Sequence, residues 1–198
     1  MSRFFILFMF LFTSLFAEQE TFPFIGVTVA THTVDLKPIA TQKPNRPNNP
    51  SSQQETTFGI QYGVQTQDFR TTFSVEGNSD FQSIDVEVDY IFMDSMFGTA
   101  KMRPYIGGTL GYIRYDETLI REYNDNKIQD EIDNNPNVGE NNVTAPRNRD
   151  GYYGLDLGML FYITDNIDLD VSYHYYFMDR LEPLDTMRGG TFALHYFY

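Results

Sequence analysis

The feature that most constrains this chain is a strict alternation of apolar and polar side chains, recurring in pieces of about ten residues. Phe58, Ile60, Tyr62 and Val64 are separated by glycine and polar residues, and Phe69, Thr71, Phe73 and Val75 alternate with Arg70, Thr72, Ser74 and Glu76. Ile84, Val86, Val88, Tyr90 and Phe92 alternate with Ser83, Asp85, Glu87 and Asp89. Late in the chain Ile167, Leu169, Val171, Tyr173, Tyr175 and Phe177 alternate with Asp168, Asp170, Ser172, His174 and Tyr176. A helix would scatter those acids among the apolar residues, whereas a strand puts the two sets on opposite faces.

Four further segments carry the same rhythm less sharply. Phe22 to Thr33 sets Ile25, Val27 and Val29 on one face, and Tyr152 to Ile163 sets Tyr153, Leu155, Leu157, Met159 and Phe161 against Asp156 and Gly158. Gly189 to Tyr198 opposes Phe192, Leu194, Tyr196 and Tyr198 to Thr191, Ala193 and His195. Pro104 to Tyr115 is so rich in glycine that its faces cannot be assigned. The pattern predicts eight strands.

The connections between these strands alternate in length. Residues 34–56, 77–82, 116–151 and 178–188 follow the odd-numbered strands, and 66–68, 93–103 and 164–166 follow the even-numbered ones. An up-and-down barrel with both chain ends on the periplasmic side has short turns there and longer loops outside. Two connections depart from the rule: 77–82 is short for an outer loop and 93–103 long for an inner turn. The two longest, at about 34–56 and 116–151, are polar. The first holds Pro38, Pro44, Pro47 and Pro50 among Asn, Ser and Gln, and the second is crowded with Asp, Glu and Asn, with room for a short helix around residues 119–132. Such composition buries too little apolar surface to order itself.

The first seventeen residues form a separate unit. Arg3 precedes the apolar run Phe4–Phe12, and Ala17 is followed by Glu18, Gln19 and Glu20. That run is too short to span a bilayer as a helix, which takes about 20 apolar residues. Residues 1–17 are therefore expected to be a cleaved signal peptide, and 18–198 the barrel. The absence of cysteine excludes a disulfide framework, a thiolate metal site and a cysteine nucleophile. A net charge of −13 with no basic stripe argues against nucleic acid as a partner.

Alternation alone leaves two folds open. In a soluble sandwich or lipocalin-like cup the apolar face is the core; in an outer-membrane barrel it meets lipid and the polar face fills the interior. Aromatic residues near strand ends (Phe22, Tyr115, Tyr152, Tyr153, Tyr175, Phe177, Tyr196, Tyr198) fit the interfacial girdles of a membrane barrel. The set Phe192, Leu194, Tyr196 and terminal Tyr198 resembles the carboxy-terminal assembly signal of outer-membrane barrels. The stretch from Asp170 to Tyr176 resembles the penultimate strand of the opacity/OmpA-like small surface barrels, although an arginine is common there where this chain has His174. Arg103 to Tyr112 resembles a mid-barrel strand of the same family. The resemblance implies an all-β, eight-stranded antiparallel up-and-down transmembrane barrel in the bacterial outer membrane, with a surface role; it does not imply a catalytic site, and no cofactor is expected. It further implies contact with outer-membrane lipid and lipopolysaccharide, and insertion by the barrel-assembly machinery through the last strand. The expected role is structural or adhesive, through extracellular loops that bind a ligand, by a monomer.

Several residues invite more specific readings. The inward faces are expected to carry Glu76, Asp85, Glu87, Asp89, Asp156, Asp168 and Asp170, with Arg70 as a partner and Arg114 as a further candidate. Such a lumen is read as a salt-bridged, watered plug, with a narrow cation-selective pore as the alternative. The acidic stretch at 125–133 lacks the alternating ligands and glycine of a calcium loop. Ser172 and His174 share a face and raise a lipid A deacylase-like enzyme, but that family has the histidine before the serine. His32 and His195 are expected near barrel ends on other strands, too scattered for a metal site.

Overall fold

The alternating segments form strands, and the strands close. The computed structural model describes residues 20–36, 52–92, 98–115, 149–178 and 184–198. They form β1 (Phe22–Leu36), β2 (Ser52–Gln65), β3 (Phe69–Gly77), β4 (Phe81–Ile91), β5 (Met102–Tyr115), β6 (Arg149–Tyr162), β7 (Ile167–Phe177) and β8 (Leu184–Phe197). Each pairs antiparallel with its sequence neighbours, and β1 pairs with β8, giving a closed up-and-down barrel. Closure satisfies the backbone of every strand and removes the edges that would be untenable in lipid. Among the described residues no helix is long and apolar enough to cross a membrane; crossing is by strands.

The apolar face is the outside. Ile25 and Val27 on β1, Ile60 on β2, Leu110 on β5, Leu155 on β6 and Phe192 on β8 are all large, apolar and exposed. Inward residues of the same strands, among them Thr28, Thr57, Arg70, Asp89, Asp156 and Asp168, are buried. A soluble sandwich or cup would have the reverse arrangement, so the wall is built for lipid and this is a transmembrane barrel of the outer-membrane type. Outward aromatics gather in two belts. Phe69, Tyr90 and Phe92 pack in tilted ring contacts near the inner ends of β3 and β4, and near the outer ends of β6 and β7 Phe177 stacks on Tyr153 and meets Tyr175 edge-on.

The strands run further at the outer end than the alternation reached. β1 and β2 stay paired through Asp35 and Ser52, and β6 begins at Arg149, within the stretch read as loop. Polar pairs such as Thr33–Gln54 simply do not alternate, so the hydrophobic rhythm lost them. The remaining connections 37–51 and 116–148, the acidic stretch 125–133, the helix expected around 119–132 and the leader at 1–17 lie outside the described residues. The short outer turn between β3 and β4 is held by Asn78. Its Oδ1 accepts from the Asp80 and Phe81 amides at 2.8 and 2.7 Å, and its Nδ2 donates to Glu55 Oε2 at 2.8 Å. The inner turn between β2 and β3 closes on Thr66, whose amide donates to the Phe69 carbonyl at 2.7 Å.

Three expectations about facing change. Tyr115 and Tyr152 are not girdle residues: both are buried in the lumen, because their parity on β5 and β6 matches that of Ile113 and Asp156. Arg114 is exposed on the outer wall beside Tyr112 and so cannot neutralise lumen acids. The faces of the glycine-rich β5 are now assigned, with Arg103, Tyr105, Gly107, Thr109, Ile113 and Tyr115 pointing inward and Ile106, Leu110 and Tyr112 outward.

Candidate functional site

Among the described residues, chemistry-bearing side chains converge in the lumen, which is layered. At the outer end Val34, Phe81, Ile113, Tyr115, Tyr152, Met178, Leu184 and Met187 form an apolar cluster across the barrel. At the inner end Ile91, Tyr105 and Leu160 form a second. Between them lie most of the acids expected on the inward faces, with Asp168 further toward the inner end, level with Tyr162. The free space in that polar layer is about 20 Å³, bordered by Glu76, Asp85, Glu87, Asp156, Asp170 and Ser172 among others. That holds roughly one water rather than a continuous column.

Large inward rings fit because glycine faces them on the adjacent strand. Tyr105 lies over Gly158, and Tyr152 over Gly111. A β-carbon at either glycine would collide with the ring, so these glycines provide room rather than a turn.

In the inner half Arg70 anchors an ionic network. Its Nε donates to Asp89 Oδ2 at 2.7 Å, and its Nη1 lies 2.6 Å from Asp170 Oδ2. Glu87 stands 3.8 Å from Nη2, and the guanidinium lies 4.5 Å from the centre of the Tyr105 ring. The Tyr105 hydroxyl donates to Asp170 Oδ1 at 2.9 Å, locking the acid from its other side. Buried charge survives only when paired and hydrogen-bonded in this way. Higher in the lumen Tyr176 and Thr109 donate to the two oxygens of Asp156 at 2.8 and 2.5 Å, and Tyr152 donates to Asp85 at 3.0 Å. Asp168 is held by His195 Nδ1 at 2.7 Å, while His195 Nε2 lies 2.7 Å from Gln61 Oε1.

The histidines are not all scattered. His32 Nδ1 and His174 Nε2 are 2.9 Å apart. His32 Nε2 lies 2.8 Å from Thr57 Oγ1, which donates to Glu76 Oε2 at 3.1 Å, and His174 Nδ1 lies 3.3 Å from Thr191 Oγ1. With both imidazoles neutral and Glu76 ionised, the carboxylate can only accept, and the bonds then run in one direction. Thr191 donates to His174, His174 Nε2–H to His32 Nδ1, His32 Nε2–H to Thr57, and Thr57 to Glu76.

This chain of bonds bears directly on the hydrolase reading. Ser172 and His174 do share the lumen, but both nitrogens of His174 are engaged by His32 and Thr191, leaving none to take a proton from Ser172. Their face is also turned away from lipid. Among the described residues no cluster of three or more histidines and acids is placed to hold a metal ion. Sequence reasoning named the inward acids and Arg70, and the structure brings these together. It missed Tyr105, Tyr152, Tyr176 and the His32–His174 pair. For the tyrosines the only signal was their inward parity; for the histidines no local signal exists, since they lie far apart in sequence.

No family model matches this chain, and no curated protein matches it. Solved structures do. The crystal structure of Neisserial surface protein A aligns with a TM-score of 0.55 at 15% identity, covering 88% of this chain and 97% of that one. The solution structure of the E. coli outer membrane protein W gives 0.47 at 12% identity, covering 91% and 100%. The crystal structure of the outer membrane enzyme PagL gives 0.41 at 10% identity, covering 87% and 98%. At such identities the likeness to the Neisserial protein establishes the fold alone, that of a small eight-stranded outer-membrane barrel.

Proposed function

We propose that this protein is a non-enzymatic surface barrel whose role, structural or adhesive, is carried by its outer connections. The observation that carries this reading is the lumen, which among the described residues is packed by side chains, with apolar clusters toward both ends and about 20 Å³ of free space in its polar layer. Variable chemistry then falls to the segments 37–51 and 116–148, which are long and polar and join β1 to β2 and β5 to β6 on the outer side. Outer-membrane lipid and lipopolysaccharide are the partners of the wall. The barrel-assembly machinery is the partner of β8, and an extracellular ligand that of the loops. Residues 1–17 are proposed as a signal peptide, so the envelope form should begin at Glu18 on N-terminal sequencing.

Replacing each long connection by an Asn-Gly turn tests the proposal. The trimmed protein should insert and keep its heat-modifiable gel mobility while losing adhesion or partner binding. Retention of the full phenotype would refute the loop reading. Loss only on Ser172→Ala or His174→Ala would put a lipid-modifying enzyme in its place.

A further inference from the structure

We propose that Arg114 and Arg149 form a binding site for the phosphate head group of an acylated lipid in the outer leaflet. The two residues are direct cross-strand partners on β5 and β6, on the outward face, and both are exposed. Like charges placed directly opposite in an antiparallel pair repel each other. Neither forms an ion pair with any described residue. Arg188, also outward and near the same end of the barrel, shows the contrast: its Nη2 lies 3.6 Å from Asp35 on β1. Asp80 is the described acid that borders Arg114, without an ion pair between them, so an anion from outside would relieve the repulsion between the two arginines.

Their height on the wall says where that anion comes from. One step inward on the same face stand Tyr112 on β5 and its partner Gly151 on β6, and one step further Leu110 and its partner Tyr153, with Leu155 beyond; Tyr112, Leu110, Tyr153 and Leu155 are all exposed. The guanidiniums thus sit just outside the outer aromatic belt, where lipid head groups lie. On the β4 side of Arg114, away from Arg149, an outward and largely apolar groove of about 270 Å³ runs past Gln82 along Val75, Ile84 and Tyr112, with Glu76 also at its edge. A cationic rim over an apolar groove matches a phosphate joined to an acyl chain. The planar, bidentate guanidinium is the side chain best suited to phosphate oxygens.

This inference rests on the outer-membrane placement proposed above. The mature protein and the double variant Arg114→Ala/Arg149→Ala are refolded into neutral phospholipid vesicles containing lipid A, dephosphorylated lipid A, or no lipid A with inorganic phosphate added. Co-purified lipid A and the urea midpoint are then measured. The parent should retain at least ten times more phosphorylated lipid A than the variant, with no difference for the dephosphorylated form. In neutral lipid alone the variant should be as stable as the parent or more so, because a repulsion has been removed. Equal retention by both proteins, equal retention of dephosphorylated lipid, or full stabilisation by inorganic phosphate would overturn the site. So would a variant less stable in neutral lipid, which would mean that the arginines serve the fold. Failure of the parent to insert into any vesicle strikes the membrane reading itself; insertion without phosphate dependence strikes only this proposal.

Discussion

His32 and His174 meet across an empty row of β8: each is the register partner of Gly189, from β1 on one side and β7 on the other. The glycine leaves the space in which the two imidazoles come within 2.9 Å. A β-carbon there would stand 3.0 Å from His174 Nε2 and press on the Thr31 carbonyl.

Gly189→Ala should therefore destabilise the barrel by about 1–3 kcal/mol through overpacking. Gly190→Ala, whose side chain would point outward into space bounded only by a carbonyl at 3.6 Å, should change stability by less than about 0.5 kcal/mol. Urea midpoints in lipid vesicles compare the two, and equal effects would mean that the histidine pair does not depend on this gap.

Removing Arg70 should cost more than removing any one of its acids. Arg70→Met leaves Asp89 and Asp170 buried without their cation, a loss of about 3–5 kcal/mol. Adding Asp89→Leu and Asp170→Leu should recover much of it, since no charge then remains to be paired. A triple variant no more stable than Arg70→Met would show that the network contributes more than charge balance.

The sense of the barrel is tested on β4, where Val86 is exposed and Asp85 lines the lumen. Val86→Arg near mid-strand should cost about 2–4 kcal/mol in a bilayer, and Asp85→Asn well under that. The reverse ranking in refolding titrations would mean that the apolar face is the core of a water-soluble fold.

Tyr198 is exposed on the outward face, and its amide lies 3.3 Å from the Pro23 carbonyl, at the seam where β8 meets β1. Tyr198→Asp places a charge at the lipid boundary of the closing strand, so assembly should fall several-fold while synthesis is unchanged. The amount of heat-modifiable protein in the outer-membrane fraction measures this. Normal assembly of the Asp variant would remove the last strand as the recognition signal.

What the sequence by itself determined is the facing of most strands, because alternation is local and a one-residue slip would turn every side chain over. Arg70 and the seven inward acids were legible for that reason, as were the inner turns at 66–68 and 164–166. The strand at Pro104–Tyr115 was not, because glycine carries no polarity with which to mark a face, and its last two residues were misread with it: Arg114 turned outward and Tyr115 inward. Tyr152 was misread because an amphipathic ring at a strand end suits either a lipid girdle or a lumen cap. Whether the apolar face met lipid or a core, and which inward residues met one another, only closure of β8 on β1 decided. It sets a single register around the ring, brings His32 to His174 and Arg70 to Asp170, and stands Arg114 beside Arg149 on the outer wall. No local pattern encodes such contacts, because each spans strands whose relative height is fixed only when all eight are paired.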